Sequence, residues 1–161
     1  CNERGAMKDG SGLDAIVVPA AGGEANAAFG LPRRILVPSA ATGGAYCAFE
    51  EMVPPGAGPP LHIHLREQEF FFVRAGLVRF RCEDATLELG PGGAVSIPAG
   101  ARHAFRNVGS HEARLLVTVT PGGLDEFFRE VDRRGLGPGD MAAVVEIAAR
   151  HNLEFVGPPI D

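Results

Sequence analysis

Residues 59–72 read PPLHIHLREQEFFF, placing His62 and His64 two apart and a carboxylate, Glu69, five residues further on. On an extended chain the side chains return to the same face every second residue, so both imidazoles face one way and can meet one ion. The carboxylate runs straight into Phe70, Phe71, Phe72 and Val73, where its charge is costly to bury without a cation. His103, behind the turn Pro98-Ala99-Gly100, is a fourth candidate from a later strand. Imidazole nitrogens and a carboxylate oxygen together suit a divalent metal.

Short strands must position these groups. RILVP from Arg34 and AYCAFEEMV at 45–53 read as strands, with a Ser/Ala/Thr/Gly turn between them. Pro and Gly at 54–60 bracket a tight crossing into LHIHL, after which Glu69, Phe71 and Val73 share one face of the next strand. LVRFRC at 77–82, ATLEL, AVSIP, RHAFRNV and ARLLVTVT at 113–120 follow, separated by Gly/Pro turns. Such a series predicts an all-β antiparallel sandwich or barrel rather than alternating strand and helix.

The period then changes to that of helices. Leu124, Phe127, Phe128 and Val131 form one apolar stripe, and Met141, Val144, Val145 and Ala148 a second, with Asp140 as the expected cap of the latter. The domain reading is an arm over 1–30 with one possible edge strand at Ile16-Val17-Val18, a barrel over 31–122, and a helical extension over 123–161 whose helices cover the barrel exterior.

The segment from Gly56 to Gly76 resembles the first motif of the cupin superfamily: Gly56, five residues, His62, one, His64, four, Glu69, six, Gly76. The segment from Gly92 to Asn107 is similar to the second, through Pro98, Gly100, His103 and Asn107. The wider texture, HAFRNVG followed by LLVTVTPGGLDEFFRE, resembles bacterial single-domain cupins described as quercetin-dioxygenase-like. This resemblance implies a double-stranded β-helix, or jelly-roll, barrel with two C-terminal helices outside it. It also implies a metal held inside by His62, His64, Glu69 and His103, with Asn107 a structural residue.

Such a site leaves positions open for substrate or dioxygen, so a metal-dependent oxygenase acting on a small apolar or aromatic chelating substrate is the leading expectation, with Fe(II) favoured and Mn, Ni, Zn or Cu also compatible. The alternatives are a metal-dependent isomerase or decarboxylase, and a non-catalytic barrel that binds a small molecule or a structural metal. Glu69 is expected as a ligand, with a second role as catalytic base. Tyr46, Phe71, Phe80 and Phe105 are candidate pocket residues, Arg66 and Gln68 stand at the mouth, and Arg102 and Arg106 point outward. His111 and His151 lack metal-ligand neighbours in sequence and are left out.

The totals bound the rest. A chain of 161 residues is one domain, and 22 glycines with 13 prolines fit a turn-rich strand protein. A net charge of -5, from 15 basic and 20 acidic residues, provides no basic footprint for nucleic acid. The pairs Arg33-Arg34 and Arg133-Arg134 read as solvated surface. Cys1, Cys47 and Cys82 have no redox or metal spacing and read as separate thiols of a reducing, cytoplasmic compartment. Lipidation at Cys1 is not expected, nor is a membrane span, since no run reaches about 18 apolar residues. A homodimer is expected, through an arm that covers strand edges.

Overall fold

The computed structural model describes residues 6–8 and 14–161. Its strands are β1 (Ala6–Lys8), β2 (Asp14–Ile16), β3 (Glu24–Asn26), β4 (Arg33–Val37), β5 (Cys47–Val53), β6 (Pro60–His64), β7 (Gln68–Ala75), β8 (Val78–Cys82), β9 (Ala85–Leu89), β10 (Ala94–Ile97), β11 (Arg102–Asn107), β12 (Ala113–Thr120) and β13 (Leu153–Pro159). Two helices, α1 (Leu124–Arg133) and α2 (Met141–Arg150), precede the last strand.

Two antiparallel sheets form the jelly roll. One runs β10-β7-β12-β5-β4-β3 and the other β13-β6-β11-β8-β9. Period-two alternation builds the space between them: along β12, Ala113, Leu115, Val117 and Val119 are buried while Arg114 and Thr120 face solvent. Phe49, Val73 and Leu115 from the first sheet meet Val78, Phe80 and Phe105 from the second in one core. Burial of each such side chain stabilises the fold by roughly 1.5–3 kcal/mol.

Close backbone approach requires glycine where the sheets turn. A Cβ at Gly58 would stand 1.9 Å from the carbonyl oxygen of Phe105, and one at Gly76 would stand 2.6 Å from the Ala113 Cβ. Asn107, fully buried, ties loops to the barrel: its Nδ2 donates to the carbonyls of Val53 (2.8 Å) and His111 (2.7 Å), and its Oδ1 accepts from the Gly109 amide (2.9 Å).

Several expectations need correction. Within the N-terminal arm, β1 and β2 pair with each other, while β3 joins the edge of the six-stranded sheet. Residues 153–159, placed in a helical extension, form a strand that pairs with β6. In α2 the buried stripe is Val144, Ile147 and Ala148; Val145 lies a quarter turn away and is 46% exposed. Asp140 does occupy the N-cap position of α2 but makes no side-chain cap bond there, its carboxylate instead accepting the Gly137 amide at 2.9 Å.

Arg33 and Arg34 are not solvated surface. Cross-strand register sets them opposite Glu51 and Glu50 of β5, and both pairs close, at 2.7 and 2.9 Å. Cys47 and Cys82 are free thiols, and burial, followed by the charge of Asp125, pushes the Cys47 pKa up to about 11. Cys1 lies outside the described residues. Among the described residues no helix is long and apolar enough to cross a membrane.

Candidate metal centre

Strand alternation turns His62 and His64 of β6 inward, and antiparallel register sets His103 of β11 directly opposite His62. Glu69 comes from β7 in the other sheet, so the barrel brings the four together only when both sheets close. One donor atom from each lies within 4.8 Å of all the others. Every one of the four is at least 93% buried, His62 being the most exposed at 7%.

The ring orientations follow from second contacts. A carbonyl only accepts, so Nδ1 of His62 donates to the Pro60 carbonyl at 2.7 Å, and Nδ1 of His103 donates to that of Ala101 at 3.0 Å. Each neutral ring then keeps its lone pair on Nε2. Nε2 of His103 nevertheless lies 2.7 Å from Glu69 Oε2, and Nε2 of His64 lies 3.3 Å from the same oxygen. Acceptors that converge at such range need an extra proton or a shared cation between them, and this donor set fits a divalent metal ion.

Electrostatics point the same way. Burial, then the neighbouring His103 and His64, lower the His62 pKa to about 3, so its ring is neutral and free to ligate. Burial works to raise the Glu69 pKa, but His64, His103 and His62 together outweigh it and hold the carboxyl at about 2. For His64 burial favours the neutral ring, and Glu69 and Glu67 overcome it to raise the pKa.

Beside these four side chains lies a cavity of about 50 Å³. Phe49, Phe71 and Phe105 supply its barrel wall; Phe29 and Leu31 precede β4, Leu124, Phe127 and Phe128 come from α1, and Leu153 and Phe155 from β13. α1 therefore closes the cavity as well as covering the barrel. Arg33 and Glu51 give the cavity one polar flank, with the guanidinium 3.8 Å above the Phe128 ring.

The sequence candidates divide accordingly. Phe71 and Phe105 line the cavity. Phe80 is buried behind them, its ring 5.4 Å from that of Phe71 and 6.1 Å from that of Phe105. Tyr46 lies away from the cavity and is 39% exposed, because Cys47, Phe49 and Glu51 take the inward parity of β5. Gln68 is exposed and bonds Ser96 at 3.0 Å; Arg66 and Arg102 are exposed too, and Arg106 donates to the Ile160 carbonyl at 2.9 Å. His111 is exposed, and His151 caps α2 beside Glu130.

Glu67, Arg33 and Glu51 were missed as residues of the site and its cavity. Glu67 is 4% exposed, and its Oε2 stands 3.8 Å from Nδ1 of His64 with neither atom hydrogen-bonded. Its parity with Glu69 was the available signal.

A family model described as a cupin domain matches residues 49–119. A probable oxidoreductase named virH, from Hypocrea virens, is 36% identical over 83 residues, covering 50% of this chain and 38% of the relative. A protein named polyketide synthase CurC, from Streptomyces cyaneus, is 34% identical over 67 residues, covering 42% of this chain and 44% of its own length. The chain thus spans less than half of either relative. The cupin domain of Schizosaccharomyces pombe Cnp3 superposes with a TM-score of 0.58 at 20% identity, over 78% of this chain and 85% of that one, which shows the shared fold.

Proposed function

From the premise that residues 49–119 of this chain form a cupin domain, we propose that the protein is a metal-dependent oxygenase acting on a small, apolar or aromatic substrate that chelates through oxygen. The observation that carries this reading is the buried three-histidine, one-carboxylate set opening onto a cavity walled by phenylalanines. The relative named a probable oxidoreductase supports the reaction class, and the one named a polyketide synthase suits an apolar, oxygen-bearing substrate.

His62, His64 and His103 would hold the ion through Nε2 and Glu69 through its carboxylate; Fe(II), the favoured metal, would supply Lewis-acid and one-electron chemistry toward dioxygen. Pro60 and Ala101 carbonyls fix two of the rings in the tautomer this requires. Phe71, Phe105 and Phe127 exclude water and pack against an apolar body. A carboxyl held at about 2 is a weak base, which favours Glu69 as ligand over proton acceptor. The cavity, at about 50 Å³, favours a small molecule.

The test is elemental analysis of protein purified without added metal, beside His62→Ala and His103→Ala. About one Fe per chain, lost in both variants, together with oxygen uptake on catechols or diketones, is the expected result. Turnover of a chelating keto acid without oxygen uptake would replace the oxygenase with an isomerase or decarboxylase. Absence of binding by Fe(II), Mn(II) and Zn(II) alike would overturn the metal centre.

A further inference from the structure

We propose that Glu67 is the positioning residue for His64, accepting the proton of Nδ1 so that Nε2 keeps its lone pair turned toward the other ligands. This rests on the metal-centre reading above. Each of the other two histidines has a main-chain carbonyl at its Nδ1, at 2.7 and 3.0 Å. His64 has none: its Nδ1 is buried without a hydrogen-bond partner, and the buried Oε2 of Glu67 is likewise without one. The two buried atoms face each other at 3.8 Å.

The arrangement follows from strand geometry. Glu67 leads directly into β7, and Glu67 and Glu69 share the inward parity of that chain. They flank the His64 ring, Glu67 on the Nδ1 side and Glu69 on the Nε2 side. Glu67 does not line the cavity, so it acts through His64 rather than on a substrate. A carboxylate acceptor makes a ring a stronger donor than a carbonyl does, and such partners typically contribute 10–100-fold to metal affinity.

The experiment is Zn(II) titration of the full chain and of Glu67→Ala and Glu67→Gln, with the imidazole nitrogens followed by 15N NMR. Glu67→Ala is expected to weaken Zn(II) by roughly 10–100-fold at unchanged stoichiometry and to shift the His64 tautomer populations while His62 and His103 stay put. Glu67→Gln, which retains an acceptor oxygen, is expected to recover part of the affinity and the Nδ1–H tautomer. Wild-type affinity and an unchanged His64 spectrum in Glu67→Ala overturn the proposal. If wild type binds no Zn(II) or Fe(II), the metal-centre reading fails, and the His64 tautomer in Glu67→Ala against wild type still decides whether the two residues are coupled: a shift supports the coupling and an unchanged spectrum overturns it.

Discussion

Arg33 and Glu51 place a guanidinium and a carboxylate side by side in a wall otherwise made of rings, their side chains 2% and 5% exposed. Asn26 and the Ala28 carbonyl take the second Arg33 nitrogen, at 3.0 and 3.2 Å, so the pair also pins the segment before β4. Removal of one partner leaves the other charged in a low dielectric. Arg33→Met is therefore expected to cost about 3–5 kcal/mol, and Arg33→Met/Glu51→Leu considerably less, by urea unfolding in a double-mutant cycle.

Two of the candidate ligands contribute to acid stability. In metal-free protein His62 titrates at about 3 when folded and about 6.5 when unfolded, so the unfolded chain binds more protons and stability falls as pH drops across that window. Glu69, held at about 2, adds loss of the same sign below about 4.5. The single-proton limit on slope is about 1.4 kcal/mol per pH unit; denaturation of chelator-treated protein should show a flatter limb between pH 6 and 4.5 in His62→Gln. The four candidate ligands were legible in the sequence because each belongs to a compact spacing pattern, His62 to Glu69 in one and Gly92 to Asn107 in the other, that can be read along the chain. Arg33 was not, since its partner lies 18 residues away and only strand pairing brings it near.

At the level of elements, α1 is fastened to the barrel at its first turn. Asp125, fully buried, accepts the Ser39 amide at 3.0 Å and the Ser39 hydroxyl, and Arg129 bridges Asp125 to Glu24 of β3. The helix thereby holds Phe127 and Phe128 over the cavity. Phe127→Ala is expected to cost about 3–5 kcal/mol and to enlarge the cavity; the check is thermal unfolding together with binding of a bulkier catechol, which should improve relative to catechol itself. The helices were readable from their 3.6-residue period. β13 was not, because LEFVGPP carries the Gly and Pro that usually break strands, and as an edge strand it tolerates both: residues 153–155 pair with 62–64 before the register shifts.

The molecule as a whole depends on what flanks its family-matched segment. β6 carries two of the four candidate ligands and has β13 as its outer neighbour, so deletion of residues 141–161 would strip α2 and leave an open edge beside His62 and His64. Such a truncation is expected to self-associate on size-exclusion chromatography and to lose Zn(II) binding, whereas the full chain should gain thermal stability with added Zn(II).

All four candidate ligands fall within residues 49–119, as do Phe49, Phe71 and Phe105 of the cavity wall, while Phe29, Leu31, Arg33, Leu124, Phe127, Phe128, Leu153 and Phe155 fall outside it. The candidate ligand set is thus written in one stretch of chain, and much of the chamber beside it in others. Substitution in the flanks can remodel the chamber beside an unchanged ligand set, which gives evolution, or an engineer, a way to reshape the cavity while leaving those four side chains untouched.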